Sequence, residues 1–199
     1  MIVVLDSPIS NSRAISSAFT QMGVSVKVSN DPSELVNAKG IVIPGIGSFG
    51  SLSDAFKEHD LENHIKSALS DEKKFLGVCL GLQFMTLASD EAPGLKGLSF
   101  FDTSCRKLPR GTRVPHVGWN DVVIENQHPI LRGIPETFQA YFSHSYYAPP
   151  LGKETIAVSS NGALFSSIIA NSYAVGIQFH PERSQKMGLK LLKNFVDWL

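Results

Sequence analysis

Short, continuously apolar runs recur through the first half of the chain, and segments with helical spacing separate them. The runs occupy residues 2–5, 41–43 and 75–78. Unbroken runs of this length are typical of strands buried on both faces of a parallel sheet. Between the first two runs, apolar residues recur at helical spacing over 14–22, Gly23 stands where a helix would end, and 24–28 alternates as a strand does. This alternation predicts an α/β fold, with a doubly wound, mostly parallel sheet flanked by helices.

The second half of the chain is richer in short strands. After a helical stretch at 51–70, the apolar segments from 98 to 178 become shorter and are punctuated by proline and glycine. Such segments are typical of antiparallel strands added to an α/β core. Residues 174–179 are predicted to be the last core strand, and 189–198 a closing amphipathic helix. The sequence contains no internal repeat, low-complexity tract or long linker, so we expect a single domain over 1–199.

The charge balance argues against several kinds of partner. Lys plus Arg and Asp plus Glu each number 18, which gives a formal net charge of zero and disfavours nucleic acid or an anionic membrane as the main partner. No run approaches the ~20 apolar residues of a membrane-spanning helix, and the first residues lack the basic leader of a signal peptide. We therefore expect a cytoplasmic protein, whose two cysteines are free thiols.

Motifs for metals and dinucleotides are absent from the sequence. The His, Cys and carboxylate residues lack the spacing of metal ligands. No Gly-x-Gly-x-x-Gly follows the first strand, as a dinucleotide-binding fold would require. We expect neither a metal nor another cofactor.

The fourth predicted strand runs directly into a Gly-x-Cys-x-Gly motif at residues 77–81, and helical spacing follows through Leu87. A strand, a tight turn and a helix with a nucleophile at the centre form a nucleophile elbow, here with cysteine in place of serine. The glycines let strand and helix pass closely, and a thiol at a helix N-terminus is favoured as the thiolate. Cys79 is therefore the candidate nucleophile. The alternative is an unreactive cysteine buried at the end of a strand.

A histidine followed closely by a glutamate offers the base that such a nucleophile needs. His180 ends the last core strand, and residues at strand ends of an open α/β sheet point into the crevice where ligands bind. Pro181 fixes the turn, so that Glu182 can fold back onto the far imidazole nitrogen and orient the ring. The alternative is a helix-capping histidine with a glutamate in the first helical turn.

A Pro-Gly-Ile-Gly loop at residues 44–47 follows the third predicted strand. Gly45 and Gly47 allow this loop, which includes Ile46, to present backbone N–H groups that bulkier residues could not aim. Acyl transfer needs such donors directed at the developing oxyanion, and the N–H of Leu80 would supply another. The alternative is a plain glycine-rich turn.

Together these motifs resemble those of the class I glutamine amidotransferases, which release ammonia from glutamine. The nucleophile motif at 77–83 and the His-Pro-Glu motif at 178–184 carry the resemblance. Three further stretches are similar to the glutaminase subunits of imidazole glycerol phosphate synthases, from histidine biosynthesis. They are residues 44–50, 115–120 and 143–146. The Pro-His-x-Gly-Trp-Asn pattern at 115–120 is the most specific of them, and the resemblance spans essentially the whole chain.

The resemblance implies a hydrolase that works with a second subunit. It implies a triad in which Cys79 is the nucleophile, His180 the general base and acid, and Glu182 the orienting carboxylate. The oxyanion hole would comprise Gly45, Ile46, Gly47 and Leu80, and in this family the loop is misoriented until the partner binds its own ligand. The residues that hold glutamine would be Gln83, Ser143, His144 and Ser145. The partner would be a (β/α)8-barrel cyclase that receives the ammonia, and the residues facing it would be Asn11, Trp119, Asn120 and Arg183.

The turn after the first strand departs from the family pattern, which has a glycine-rich turn leading to asparagine. Residues 6–11 contain no glycine before Asn11. Pro8 fixes φ and Ile9 tolerates positive φ badly, so this turn must take another shape. The departure bears on the geometry of the partner surface and leaves the glutaminase chemistry untouched.

Three other functions fit parts of the pattern. The chain could donate ammonia to a different synthase, such as one that amidates cell-surface sugars. It could be a stand-alone Cys-His γ-glutamyl hydrolase, although that gives no reason for the motif at 115–120. A non-catalytic binding domain on the same fold would be expected to have lost a member of the triad, and all three members are present.

Overall fold

The computed structural model describes residues 1–6, 10–70 and 73–199. Its strands are β1 (Ile2–Val4), β2 (Val26–Val28), β3 (Gly40–Gly45), β4 (Lys74–Cys79), β5 (Ala88–Ser89), β6 (Ser104–Lys107), β7 (His116–Ile124), β8 (Thr137–His144), β9 (Tyr146–Tyr147), β10 (Thr155–Ser160), β11 (Leu164–Ala170) and β12 (Ala174–Ile177). Its α-helices are α1 (Ser12–Gln21), α2 (Pro32–Val36), α3 (Phe49–Glu58), α4 (Leu61–Ser70), α5 (Leu80–Phe84) and α6 (Gln185–Trp198). Short 3-10 turns lie at Pro129–Leu131, Gly152–Glu154 and Pro181–Arg183. Every strand predicted in the parallel core is present, with ends that shift by up to two residues.

Nine of the described strands form one mixed sheet in the order β2-β1-β3-β4-β12-β11-β10-β7-β8. The pairs from β2 to β12 are parallel, and the pairs from β12 to β8 are antiparallel. Strands β5, β6 and β9 form a small second sheet. The predicted α/β fold with added antiparallel strands is confirmed. The antiparallel strands extend the parallel sheet itself, because β11 pairs directly with β12.

Two helical segments differ from the prediction. Two helices, α3 and α4, cover the stretch at 51–70. They are separate because Asp60 between them has a φ of 50°. A left-handed residue cannot continue a right-handed helix. Helix α2 was not predicted, although its start signals are present. The Asp31 carboxylate accepts from the Ser33 N–H at 2.9 Å, and Pro32 occupies the first turn.

Apolar layers cover both faces of the large sheet. Helices α1 and α6 pack on one face, where the ring centroids of Phe19 and Phe195 lie 6.5 Å apart. Helices α3 to α5 pack on the other, where Phe56 and Phe84 lie 4.6 Å apart. All four rings are buried, and burial of each stabilises the fold by roughly 1.5–3 kcal/mol. None of the described helices combines the length and apolar character that crossing a membrane requires.

The sheet order brings three distant parts of the sequence to one edge. Strands β3, β4 and β12 are neighbours and run in the same direction, so their carboxyl ends meet. In the register, Gly45 lies opposite Cys79 and Ile177 lies opposite Val78. Ligands of open α/β sheets bind outside such strand ends. The loop at 44–47, the cysteine motif and the His-Pro-Glu motif therefore border one crevice.

Candidate active site

Cys79 stands at a sharp turn between β4 and α5. Its φ of 54° lies in the left-handed region, which costs a non-glycine residue on the order of 1–3 kcal/mol and persists only where the surroundings enforce it. A Cβ on Gly81 would lie 1.7 Å from the Ile43 carbonyl oxygen, and one on Gly77 would lie 2.7 Å from the backbone of Gly81. Strand and helix therefore pass at a separation that only glycine permits.

The helix after this turn is shorter than the sequence predicts. Helix α5 ends at Phe84, and the prediction that it continues through Leu87 is wrong. The carbonyls of Phe84 and Met85 instead accept from the N–H groups of Leu98 and Phe100, at 2.7 and 2.8 Å. Five residues contribute little macrodipole. Stabilisation of a thiolate at Cys79 must therefore come mainly from neighbouring side chains.

His180 follows β12 and is fixed through both its backbone and its ring. The His180 N–H donates to the Tyr141 carbonyl at 2.9 Å, and its Nδ1 lies 3.0 Å from Glu182 Oε1. Pro181 opens the 3-10 turn that folds Glu182 back toward the ring. Only 6% of the His180 side chain and 2% of the Glu182 side chain are exposed. Because Nδ1 donates to the carboxylate, Nε2 is the ring nitrogen left to exchange a proton with Cys79.

Burial and partners pull the pKa of His180 in opposite directions. Burial lowers this pKa, but hydrogen bonds and charge interactions with Cys79 and Glu182 outweigh it and raise the pKa to about 10 from an ordinary 6.5. His180 is therefore an imidazolium at neutral pH. A cationic histidine beside a cysteine is an arrangement that favours the reactive thiolate.

The second cysteine has different surroundings. Both cysteines are free, but Cys105 lies in the core with Thr86 Oγ1 at 3.6 Å from its sulfur. Burial raises the pKa of Cys105 to about 12. Its sulfur is therefore a neutral thiol at physiological pH, and Cys79 remains the candidate nucleophile.

A cavity of about 250 Å³ opens beside Cys79. It is smaller than the ~300–1,000 Å³ typical of sites for drug-sized ligands, which suits a small polar molecule. Its lining consists of Ile46, Gly47, Cys79, Leu80, Gln83, Glu91, Pro115, Ser143, His144, Ser145, Tyr146 and His180. Every residue predicted for the oxyanion hole or for substrate is among them except Gly45. That residue lies behind the lining, where a Cβ would approach the Leu80 Cβ to 2.8 Å.

Glu91 is the main lining residue that the sequence did not indicate. Its Oε2 accepts from the Phe49 N–H at 2.8 Å, which fixes the carboxylate at the start of α3. The surrounding acidic, polar sequence resembles an ordinary solvated loop, and no motif marks the position. In the described residues, no group of three or more His, Cys, Asp or Glu is arranged to hold a metal ion.

Gln178 contacts the Cys79 sulfur, and Gln83 in turn contacts Gln178. Cys79 Sγ lies 3.6 Å from the Ser143 carbonyl oxygen and 3.8 Å from Gln178 Nε2. Gln83 Nε2 donates to Gln178 Oε1 at 3.3 Å and to the Tyr146 carbonyl at 2.9 Å. Gln83, predicted to hold substrate, thus also ties the elbow to the wall formed by β8 and β9.

Backbone donors for an oxyanion lie at the same edge. Leu80 is the first residue of α5, and N–H groups in the first turn of a helix have no intrahelical acceptor. Ile46 and Gly47 line the cavity across from it. The predicted oxyanion loop and the Leu80 N–H therefore border the space next to the sulfur.

Trp119 and Arg183, both predicted to face a partner, lie on one surface patch. Trp119 is 46% exposed and sits opposite Tyr141 in the β7–β8 register. The Arg183 guanidinium lies 4.1 Å from the Tyr141 ring centroid. We call Trp119, Tyr141 and Arg183 the outer patch. Asn120 projects from the opposite face of β7, where its amide donates to the Ser160 carbonyl at 3.0 Å.

Asn11, predicted to face a partner, contacts Glu182 of the candidate triad. Its Nδ2 donates to Glu182 Oε1 at 3.1 Å, and the same oxygen accepts from His180. The unusual turn predicted before Asn11 includes Ser7, Pro8 and Ile9, which lie outside the described residues. The hydrogen bond couples the segment after β1 to the orientation of the Glu182 carboxylate.

Cys79, His180 and Glu182 thus lie together at one edge of the sheet, and the comparisons with known proteins show the family to which the chain belongs. The family model "Glutamine amidotransferase class-I" matches residues 3–198, so the chain belongs to the class I glutamine amidotransferase family. The predicted resemblance to that family is confirmed.

Relatives at higher identity share one more particular description. The "Imidazole glycerol phosphate synthase subunit HisH" of Methanosarcina barkeri is 38% identical over 98% of this chain and 98% of its own. The protein of the same name from Methanothermobacter thermautotrophicus is 37% identical over 99% of this chain and 98% of its own. The predicted similarity to glutaminase subunits of this synthase is confirmed over nearly the full length.

Solved structures share the fold at low sequence identity. A chain of "PurLQS from Thermotoga maritima" superposes with a TM-score of 0.80 at 18% identity, over 99% of this chain and 97% of that one. A "glutamine amidotransferase" superposes with a TM-score of 0.79 at 16% identity, over 100% and 98%. At these identities the likeness concerns the fold alone.

Proposed function

We propose that this chain is the glutaminase subunit of an imidazole glycerol phosphate synthase. It hydrolyses glutamine to glutamate and ammonia through a cysteine thioester, and a (β/α)8-barrel cyclase subunit receives the ammonia. The observation that carries the proposal is the arrangement of Cys79, His180 and Glu182 at the ends of adjacent parallel strands, beside a small polar cavity. The full-length similarity to proteins named as HisH subunits supports the choice of synthase.

The chemistry follows from the charge state of the site. The Cys79 thiolate attacks the side-chain amide carbon of glutamine, and the carbonyl oxygen becomes an oxyanion that backbone N–H groups such as that of Leu80 stabilise. His180 Nε2 then gives its proton to the departing nitrogen, which leaves as ammonia while a thioester forms on the sulfur. A water attacks the thioester and passes a proton to His180, glutamate departs, and the sulfur returns as thiolate. Glu182 holds the ring in the same orientation throughout.

Charge complementarity supports an amino acid as the substrate. Glutamine carries an α-ammonium group at the end opposite its amide. With the amide at Cys79, that group needs an anionic partner in the cavity, and the Glu91 carboxylate is the acidic side chain of the lining outside the triad. The hydrogen bond that Glu91 Oε2 accepts from the Phe49 N–H keeps this carboxylate in place. The α-carboxylate would then meet the polar wall at residues 143–145.

The outer patch supports a second subunit. It combines an exposed indole, a tyrosine ring and a guanidinium, and these are side-chain types enriched at the centres of protein interfaces. Arg183 immediately follows the triad glutamate, so docking at this patch is one residue away from the catalytic group. We propose that the cyclase subunit covers this face, and that ammonia leaves the cavity toward it.

A comparison of the two free cysteines tests which one is the nucleophile. Cys79→Ala should reduce glutamine hydrolysis by roughly 10⁴-fold or more, whereas Cys105→Ala should retain activity because its thiol is buried and neutral. An electrophilic glutamine analogue should label Cys79 alone, as read by mass spectrometry. Labelling of Cys105, or glutamine hydrolysis that survives in the Cys79→Ala protein, would refute the proposed mechanism.

A second experiment tests the partner. Steady-state glutamine hydrolysis is measured for the chain alone, with the cognate cyclase, and with the cyclase and its nucleotide ligand. If an oxyanion donor becomes available only in the liganded complex, kcat should rise ~10²–10³-fold there. The Cys79→Ala complex should still make product from added ammonia. Full activity of the chain alone would instead favour the stand-alone hydrolase.

A further inference from the structure

We propose that His116 is a positioning residue: it locks His144 into one neutral tautomer and thereby fixes the wall that binds glutamine. The inference deepens the proposed glutaminase function and rests on it. His116 is absent from the cavity lining, whereas His144 is part of it. The two residues lie directly opposite each other in the β7–β8 pair. The His116 ring contacts the cavity lining through His144, because its Nδ1 lies 2.9 Å from His144 Nε2.

The tautomer of His144 follows from an acceptor that cannot donate. His144 Nδ1 lies 2.9 Å from the Tyr146 carbonyl oxygen, so Nδ1 carries the proton. The neutral ring then has a lone pair on Nε2, and His116 Nδ1 lies 2.9 Å from that atom. His116 must therefore also be protonated on Nδ1, which leaves its own Nε2 as an acceptor.

We call the hydrogen-bonded chain of Asn120, His116, His144 and the Tyr146 carbonyl the relay. Its Asn120 end is fixed independently of the Tyr146 end. Asn120 Oδ1 accepts from the Asp121 N–H at 2.8 Å, and Asn120 Nδ2 donates to the Ser160 carbonyl at 3.0 Å. These two backbone groups leave the amide a single orientation. Its Nδ2 then faces His116 Nε2 at 3.2 Å, where the lone pair deduced from the opposite end is available. Donors and acceptors thus alternate in one direction from Asn120 to the Tyr146 carbonyl.

The relay leaves no place for an extra proton. A proton on His144 Nε2 would face the His116 Nδ1–H, and reversing the His116 tautomer would set its Nε2–H against the Asn120 amide. The His116 ring also stacks on Phe142, with centroids 4.9 Å apart. Burial, together with the repulsion that a positive charge on His144 would meet from a charge on His116 or His180, outweighs the hydrogen bond to the Tyr146 carbonyl and lowers the pKa of His144 to about 3. His144 therefore stays neutral beside the His180 imidazolium.

The consequence for substrate lies in the Tyr146 carbonyl. That oxygen accepts from His144 Nδ1 and from Gln83 Nε2, both at 2.9 Å. Ser143 and Ser145 flank His144 in the same cavity wall. With the His144 ring fixed, the backbone of this wall and the Gln83 amide keep one geometry. Loss of the His116 donor would leave His144 Nε2 buried without its partner and free the ring to rotate.

Matched variants of His116 test the proposal in the assembled enzyme. His116→Asn keeps a side-chain N–H near the position of Nδ1, whereas His116→Phe keeps the stacked ring and loses the donor. We expect His116→Phe to raise KM for glutamine on the order of 10-fold, with kcat changed far less, and His116→Asn to stay closer to the parent. His128→Gln is the control for removal of a part-buried histidine, because His128 caps the 3-10 turn at Pro129–Leu131 and does not line the cavity. Equal KM in both His116 variants, or a loss confined to kcat, would overturn the proposal.

A direct readout does not depend on activity. Long-range proton–nitrogen NMR spectra of the histidine-labelled chain, assigned with the His116→Asn and His144→Gln variants, should show both rings neutral at pH 7 with the proton on Nδ1. His144 protonated on Nε2 would reject the relay even if glutaminase activity is normal. Conversely, a relay seen in these spectra together with an active Cys79→Ala protein would reject the proposed function and leave the tautomer assignment intact.

Discussion

His180 after β12 and His144 at the end of β8 are buried histidines that line the same cavity. At neutral pH the first is positively charged and the second is uncharged. His180 and His144 are 4% and 5% exposed. The pKa of His180 is raised to about 10, because its contacts with Cys79 and Glu182 outweigh burial. The pKa of His144 is lowered to about 3, because burial acts without an anionic partner and a carbonyl and a second imidazole occupy its nitrogens.

The difference shows that partners, rather than burial, decide what each histidine can do. Desolvation acts on both rings in the same direction, against the charged form. Only the ring with a carboxylate and a thiol beside it is charged at neutral pH, and in the proposed mechanism it gives its proton to the leaving ammonia. The other ring is restricted to neutral hydrogen bonding and therefore serves as structure.

The largest expected effect comes from replacing each of the two histidines in turn with glutamine. His180→Gln removes the proton carrier and should reduce kcat for glutamine hydrolysis by roughly 10⁴-fold or more. His144→Gln keeps an amide that can donate and accept, so its main effect should fall on KM. Stopped assays of both variants at saturating glutamine make the comparison. Similar losses of kcat in the two proteins would mean that His144 takes part in proton transfer.

The carboxylate partner should have a smaller effect. Glu182→Gln preserves shape but removes the charge that sustains the His180 imidazolium, so we expect a loss of about 10²–10⁴-fold in kcat. The alkaline limb of the pH–rate profile should also move to lower pH, because the pKa of His180 loses one of its supports. Asn11→Ala is a useful comparison, since it removes a neutral donor to the same carboxylate oxygen. A Glu182→Gln protein with parental kcat would show that another group orients the ring.

The free energy of unfolding should depend on His144 at acid pH and on His180 at alkaline pH. Between pH 6.5 and 3 the unfolded chain protonates His144 and the folded chain does not, so His144 lowers stability as pH falls. From pH 7 to 4.5 this amounts to roughly 2–3 kcal/mol. His180 is protonated in the folded chain up to a pH of about 10, so its contribution is present below pH 6.5 and disappears as pH rises. Urea unfolding across pH should show a flatter acid side in His144→Gln and a flatter alkaline side in His180→Gln.

The cysteine motif and the His-Pro-Glu motif could be predicted from the sequence, because residues within each short segment determine its local geometry. Gly77 and Gly81 permit the close strand-to-helix turn around Cys79, which a Cβ at either position would obstruct. Pro181 turns the chain so that Glu182 meets the nearby His180. The buried strands of the parallel core were equally local, since unbroken apolar runs have few other solutions. Sequence therefore determined the α/β fold, the triad candidates and the family.

Contacts between residues of different strands were decided by the tertiary structure alone. Which histidine is charged depends on Cys79 at the end of β4, His116 in β7 and the Tyr146 carbonyl in β9. The Glu91 carboxylate reaches the cavity through a bond to α3, and Asn11 reaches Glu182 from the other end of the chain. Asn120 follows Trp119 directly, yet the two side chains leave β7 on opposite faces, so one lies in the outer patch and the other begins the relay. Charge and hydrogen bonding depend on distances between atoms, and the folded sheet sets those distances between residues that the sequence keeps far apart.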